Sequence, residues 1–251
     1  SWRANGGTTT TNDASATGIG TIDSVYQASV AGGFSIVTWT GTGSAGTIAH
    51  GLGAVPRFIL CKYRNSSTAW VSYHPNQGAN GLQGELGYMH LEANQAFSDY
   101  HLIWNDTAPT STVFSVSTAS NVNSNGGTYI AYCWADVPGF SKFGKFKGCG
   151  QNNFGPKVTT GFKPELVMIK NRGASENWTV WDAARSNNTN PVEDRLQWNN
   201  NSAEATSSSS KVDFHANGFR PILNNTEING DDGIYVYAAW GSTPYKYPLA
   251  F

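Results

Sequence analysis

Asp99, Tyr100 and His101 stand in a row, so a strand through them would put the acid and the imidazole on one face. With a serine close by in the fold, that pair is the raw material of a Ser-His-Asp relay for acyl transfer. The Gly-x-Ser-x-Gly elbow that often exposes such a serine does not occur in the chain. Carboxylates are the next resource, since glycoside hydrolysis needs two of them flanking one bond. Glu85, Glu92, Asp99, Asp106, Asp136, Glu165, Glu176, Asp182, Glu193, Asp194, Glu204 and a few others are scattered, and no pair of them recurs between the two similar parts of the chain described below. The segment "NGDDG" at 229–233 offers Asn229, Asp231 and Asp232 as oxygen ligands for calcium. Its closest counterpart, "NSNGG" at 123–127, has no acid, so what the two share is turn chemistry. Cys61, Cys133 and Cys149 lack the Cys-x-x-Cys or paired-histidine spacing of a zinc site and read as small, unbridged packing residues. The expectation is therefore no catalytic residue, no metal and no cofactor.

Aromatic side chains are the more promising chemistry. Sugars bind by stacking on exposed rings flanked by polar groups. Trp104, Trp181 and Trp198, with Tyr73, sit near predicted loops and are the candidate glycan-binding residues. Trp70 and Trp178 occupy matching places in two similar stretches, which fits a shared core role better.

Those stretches organise the whole chain. "GLGAVPRFILCK" at 51–62 and "GFKPELVMIK" at 161–170 share a Gly-led turn, a proline, an apolar run and a lysine. With Pro56 laid on Pro164, Lys62 falls on Lys170 and Trp70 on Trp178. "GTG" at 41–43 then meets "GCG" at 148–150, and "HLEAN" at 90–94 meets "RLQWN" at 195–199. "NVNSNGGTYIAYCWA" at 121–135 meets "EINGDDGIYVYAAWG" at 227–241, and "PGFSKF" at 138–143 parallels "PYKY" at 244–247. The order of blocks is kept while the offset drifts by a few residues, as insertions in loops would cause. The reading is one module used twice, at 34–142 and 143–251, after an extended N-terminal arm at 1–33. The arm, with "NGGTTTTNDASATGIGT", has almost nothing to bury and should order only against a neighbour.

Composition agrees with a β-rich protein. The 251 residues include 28 Gly and 32 aromatics, and only 13% are charged, for a net charge of −1. Nothing in that balance attracts nucleic acid, and no apolar run reaches the roughly 20 residues of a membrane helix. "FSIVTWT", "AWVSY", "NWTVW", "TVFSVS", "TYIAYCW" and "IYVYAAW" read as strands, separated by Asn-Gly turns. "RFILC" and "ELVMI" are apolar on both faces and should be covered on both sides. Residues 82–97 and 191–198 suit a helical turn as well as a strand or loop. The fold class predicted is all-β, as two tandem related β-sandwich modules of jelly-roll type.

The ordered blocks "SWRANGG", "GGFSIVTWTGTGSAGTIAHGLGAVPRFILCKYRNSSTAW", "GGTYIAYCWADVPGFSKFGKFKGCG", "TGFKPELVMIKNRGASENW" and the terminal "PYKYP" resemble a repeated domain of tail-fibre and other virion proteins of marine and related bacteriophages. The resemblance implies a non-enzymatic virion protein, a tail fibre or surface appendage that attaches to host glycans. It also implies a homotrimer; the N-terminal arm would contact other virion proteins, while charge and hydropathy point to no nucleic acid and no membrane insertion. A capsid or tail decoration protein without a receptor role, and a polysaccharide depolymerase, are the alternative functions.

Overall fold

A computed structural model describes residues 7–206 and 210–242. The chain is all-β and divides into two compact units. Unit 1 takes the residues up to Leu91 and Phe97–Asp136; unit 2 takes Glu92–Ala96 and the residues from Val137 onward. The division thus falls at Asp136, a few residues before the predicted 142/143.

Unit 1 contains β1 (Thr10–Asn12), β2 (Ser24–Ser29), β3 (Phe34–Thr40), β4 (Gly46–Ala49), β5 (Pro56–Tyr63), β6 (Val71–Tyr73), β7 (Gly87–His90), β8 (Ser98–Asp99), β9 (Val113–Val116) and β10 (Thr128–Ala135). One antiparallel sheet runs in the order β1-β2-β3-β10-β5-β6-β7-β8, and β4 pairs with β9 in a second. The sequence of β10 shows why it sits centrally. Tyr129, Ala131, Cys133 and Ala135 alternate with partly exposed residues, and that inner set is buried. Ile48 of β4 with Phe114 and Val116 of β9 closes on the same cluster as Val37, Trp39, Ile59 and Cys61, making a two-layer sandwich.

Unit 2 contains β11 (Ser141–Lys147), β12 (Val158–Thr159), β13 (Leu166–Asn171), β14 (Thr179–Asp182), β15 (Asp194–Gln197), β16 (Ala205–Thr206), β17 (Val212–His215), β18 (Gly218–Pro221) and β19 (Ile234–Trp240). Its large sheet runs β11-β19-β13-β14-β15-β16, and the small one β12-β18-β17. Laid beside unit 1, β11 takes the place of β3, β19 of β10 and β13 of β5. The following strands keep step to the sheet edge. Both runs apolar on two faces are buried on both: Phe58 to Cys61 in β5 and Val167 to Lys170 in β13. Residues 82–97 form the 3-10 turn Gly84–Leu86, the strand β7 and loop, and residues 191–198 hold β15 between loop residues; neither contains an α-helical turn. The predicted parallel between "PGFSKF" and "PYKY" at 244–247 lies outside the described residues.

The N-terminal expectation is corrected. Within 7–33 the chain is no free arm: β2 pairs with β3 along its length, and β1 pairs with β2. Ile22 and Ala14 are buried, and Tyr26 packs on the unit 1 core. Between the strands, Asp13 caps the short helix α1 (Ala14–Thr17) by accepting the Ser15 and Ala16 N–H groups. The apolar residues of this segment are few, but the open edge of β3 supplies its backbone with partners. Backbone pairing does not register in composition. Unit 2 has no strand corresponding to β2 beside β11 among the described residues.

Candidate functional site

Three of the four predicted sugar-stacking residues are core residues. Tyr73, Trp104 and Trp181 are 3%, 2% and 0% exposed. The Tyr73 and Trp104 rings meet edge to face at 6.0 Å inside unit 1, and the Trp181 indole N–H donates to the Ser210 carbonyl at 3.3 Å inside unit 2. Rings this large contribute most when wholly removed from water; Tyr73 and Trp181 reach the interior from β6 and β14, and Trp104 from the turn after β8. Only Trp198 stays open, at 43% exposure, just past β15. Trp178 is buried as its recurrence suggested, while Trp70 is partly buried and stacks on Tyr132 at 6.1 Å.

The other candidates also disperse. The strand carrying Asp99 stops there, so Asp99 and His101 do not share a strand face; both are exposed. Among the described residues no three His, Cys, Asp or Glu side chains gather as metal ligands. In "NGDDG", Asp232 pairs with Lys147 at 2.7 Å, and Asn229 is wholly buried. All three cysteines are free thiols. Burial pushes the Cys61 and Cys133 thiols well above the ordinary thiol range, which leaves them without nucleophilic thiolate.

The residues that do recur in register are structural. Asn123 accepts the Thr42 N–H at 2.9 Å and donates to the Ser44 and Ser117 carbonyls at 2.7 and 3.0 Å. Asn229 accepts the Cys149 N–H at 3.0 Å and donates to the Gln151 carbonyl at 3.0 Å. Each buried amide therefore pins one glycine-bounded turn, "GTG" or "GCG". The turn comes so close that a Cβ on Gly41 would lie 2.2 Å from the Ser124 carbonyl oxygen, and one on Gly148 2.3 Å from that of Gly230. Beside each amide a tyrosine does the same work. Tyr129 accepts the Ser124 N–H at 2.7 Å and donates to the Ser120 carbonyl at 2.8 Å; Tyr235 treats Gly230 and Thr226 alike, at 2.7 and 2.8 Å. Lys62 and Lys170 point their ammonium groups at carbonyls of the loop after β5 and β13. Lys170 is fully buried among four carbonyls, and desolvation lowers its pKa to about 8, so it keeps its proton at neutral pH.

A groove of about 670 Å³ lies wholly in unit 1. One rung of the sheet crosses it. Thr40 of β3 and Thr128 of β10 are direct partners. Asp23 precedes β2 next to Thr40, because Ser24 pairs with Trp39. Arg64 follows β5, and its backbone N–H donates to the Thr128 carbonyl at 2.8 Å. The rung thus reads acid, hydroxyl, hydroxyl, guanidinium. On the neighbouring rung Thr11, Val25 and Thr38 stand side by side, with Val25 38% exposed. Thr42 and Asn125, on the turns that Asn123 pins, complete the rim. Reading 1–33 as an arm hid this groove, since β1 and β2 form one wall. The alternating "SVYQAS" at 24–29, ahead of "FSIVTWT", was the signal that could have revealed it.

Among the described residues no helix is long and apolar enough to cross a membrane. Neither the curated proteins nor the solved structures yield a match to the chain. A family model does match, over residues 1–244, and its description is Domain of unknown function. With all but the last few residues covered, the chain belongs to that family, DUF7483.

Proposed function

We propose that this chain is a non-enzymatic β-module of a phage tail fibre or appendage, and that the unit 1 groove is where it holds a host-surface glycan. The observation that carries the reading is the groove's lining of hydroxyls, one amide and one charge of each sign around an exposed valine. Hydroxyl and amide groups exchange hydrogen bonds with sugar hydroxyls, and Val25 offers an apolar patch to a ring's C–H face. The virion setting and the homotrimer come from the sequence resemblance to phage virion proteins. Rigid pinned turns suit a receptor-binding surface, because a pre-ordered loop loses little entropy on binding.

A panel of immobilised glycans probed with the purified chain tests the groove. Binding should vanish when Thr40→Trp fills it, with the far-UV spectrum unchanged. Absence of binding across neutral and acidic glycans would refute the glycan reading. Gold-labelled antibody against the chain should decorate particle appendages, and light scattering should give three times the chain mass. A monomeric mass at high concentration would reject the trimer.

A further inference from the structure

We infer that the groove selects a carboxylate-bearing oligosaccharide, with Arg64 as the anchor for the carboxylate. This rests on the glycan reading above and names its ligand class. Arg64 is exposed, and among the described residues its guanidinium has neither a hydrogen bond nor an ion pair. Its counterpart after β13 is Arg172, whose N–H meets Ile234 as that of Arg64 meets Thr128. The counterpart is partly buried and its pKa is lowered by desolvation. The backbone role is therefore common to both units, while the open guanidinium belongs to the groove. An unpaired guanidinium presents a fork of N–H donors that matches a carboxylate's two oxygens.

Asp23 does not oppose such a ligand. Three strand spacings separate it from Arg64 along the rung, about 14 Å at the usual 4.8 Å each. That exceeds the Debye length of about 8 Å at physiological salt, so its repulsion on a group at Arg64 is largely screened. One Asp23 oxygen is already committed to the Ala14 N–H, at 2.9 Å. The carboxylate is thus held in place as an acceptor for a sugar hydroxyl at the far end. Thr40 and Thr128 between them serve hydroxyls of the intervening sugar. The rung therefore has a polarity, and an acidic saccharide fits it in one direction. In unit 2 the equivalent positions are Lys147, already paired with Asp232, and the apolar Ile234. Among the described residues that rung lacks the hydroxyl pair and the acid.

The test titrates the full chain by calorimetry with trigalacturonate and with its carboxyl-reduced, neutral form. Trigalacturonate should bind at least 10-fold tighter, and Arg64→Gln should abolish that preference while leaving weak binding of the neutral sugar. Arg64→Lys should recover only part of it, because an ammonium lacks the fork. Equal affinity for both sugars, or an unchanged preference in Arg64→Gln, overturns the acidic-ligand inference and leaves the glycan groove standing. No binding of these or of any other glycan in a broad panel overturns both. Sulfated trisaccharide included as a third arm should bind more weakly than trigalacturonate; tighter binding would reassign the anchor to sulfate and refute the carboxylate claim.

Discussion

Asn123→Ala removes a buried side chain that joins three separate stretches of unit 1. Its amide holds the Thr42 N–H and the carbonyls of Ser44 and Ser117. A net hydrogen bond inside a protein contributes about 1 kcal/mol, so three of them set a loss of about 3 kcal/mol. Unit 2 provides an internal comparison. Asn229→Ala breaks two such bonds, to Cys149 and Gln151, and should cost about 2 kcal/mol in unit 2. Asn123→Asp sharpens the test further. The aspartate keeps an acceptor for Thr42 but turns an anionic oxygen toward two carbonyls in a site with no water exposure. Its loss should equal or exceed that of alanine. Urea unfolding followed by tryptophan fluorescence reads these differences, given an unchanged slope. Amide exchange at Thr42 should also quicken in Asn123→Ala. A loss below about 0.5 kcal/mol in Asn123→Ala would refute the idea that this amide pins the turn, since surface substitutions already span that range.

Other perturbations follow from the same structure. His50 is buried and neutral, with its ring accepting the Leu52 N–H and bonding the Thr110 carbonyl; desolvation lowers its pKa to about 4. Its unfolded pKa is about 6.5, so the unfolded chain takes up the proton first and stability falls as pH drops from 6.5 toward 4, by about 3 kcal/mol through this group. Melting curves of wild type and His50→Gln should show that acid slope reduced in the variant. Lys170→Met leaves four buried carbonyls without their donor and should cost about 3 kcal/mol in denaturant, with Lys62→Met milder because its ammonium is less enclosed. Iodoacetamide should label Cys149 in the native protein and spare Cys61 and Cys133, and all three should react after unfolding without reductant. Labelling of Cys61 in the native state would contradict the packing given above.

How far the sequence could be read depended on which physical signal a feature leaves. Strands were legible because apolar alternation and β-branched runs are written residue by residue, as in "TYIAYCW" and "IYVYAAW". The double cover of β5 and β13 was legible for the same reason. Of the N-terminal strands, "TTN" was not legible, because it carries no apolar residue and is held by pairing to β2, while "SVYQAS", held by pairing to β3, left only its short alternation as a trace. Exposure of single aromatics was illegible too. Proximity to a loop says where the backbone runs, not where a ring points, and Tyr73, Trp104 and Trp181 all turn inward. Asn-Gly was read as a turn signal everywhere. At Asn80-Gly81 both residues take positive φ, but at Asn229-Gly230 neither does, and the asparagine there is the buried clamp.

The comparison between units separates the scaffold from the part free to do something else. Asn123 and Asn229, Tyr129 and Tyr235, Lys62 and Lys170 repeat with their bonding partners intact. A residue whose whole bonding capacity is spent inside its own unit has nothing left for a ligand. The rung across unit 1 behaves in the opposite way. Thr40 and Thr128 become Lys147 and Ile234 in unit 2, and the strands that wall the groove on the Asp23 side have no partner there among the described residues. Losing the second wall also changes what the edge must do. β3 is covered by β2, whereas among the described residues β11 ends its sheet and carries Lys142, Lys145 and Lys147, the charged residues that discourage edge-to-edge pairing. The same edge position of the two sheets thus differs between the units: in the first it is walled into the groove proposed above to bind a ligand, and in the second it carries lysines.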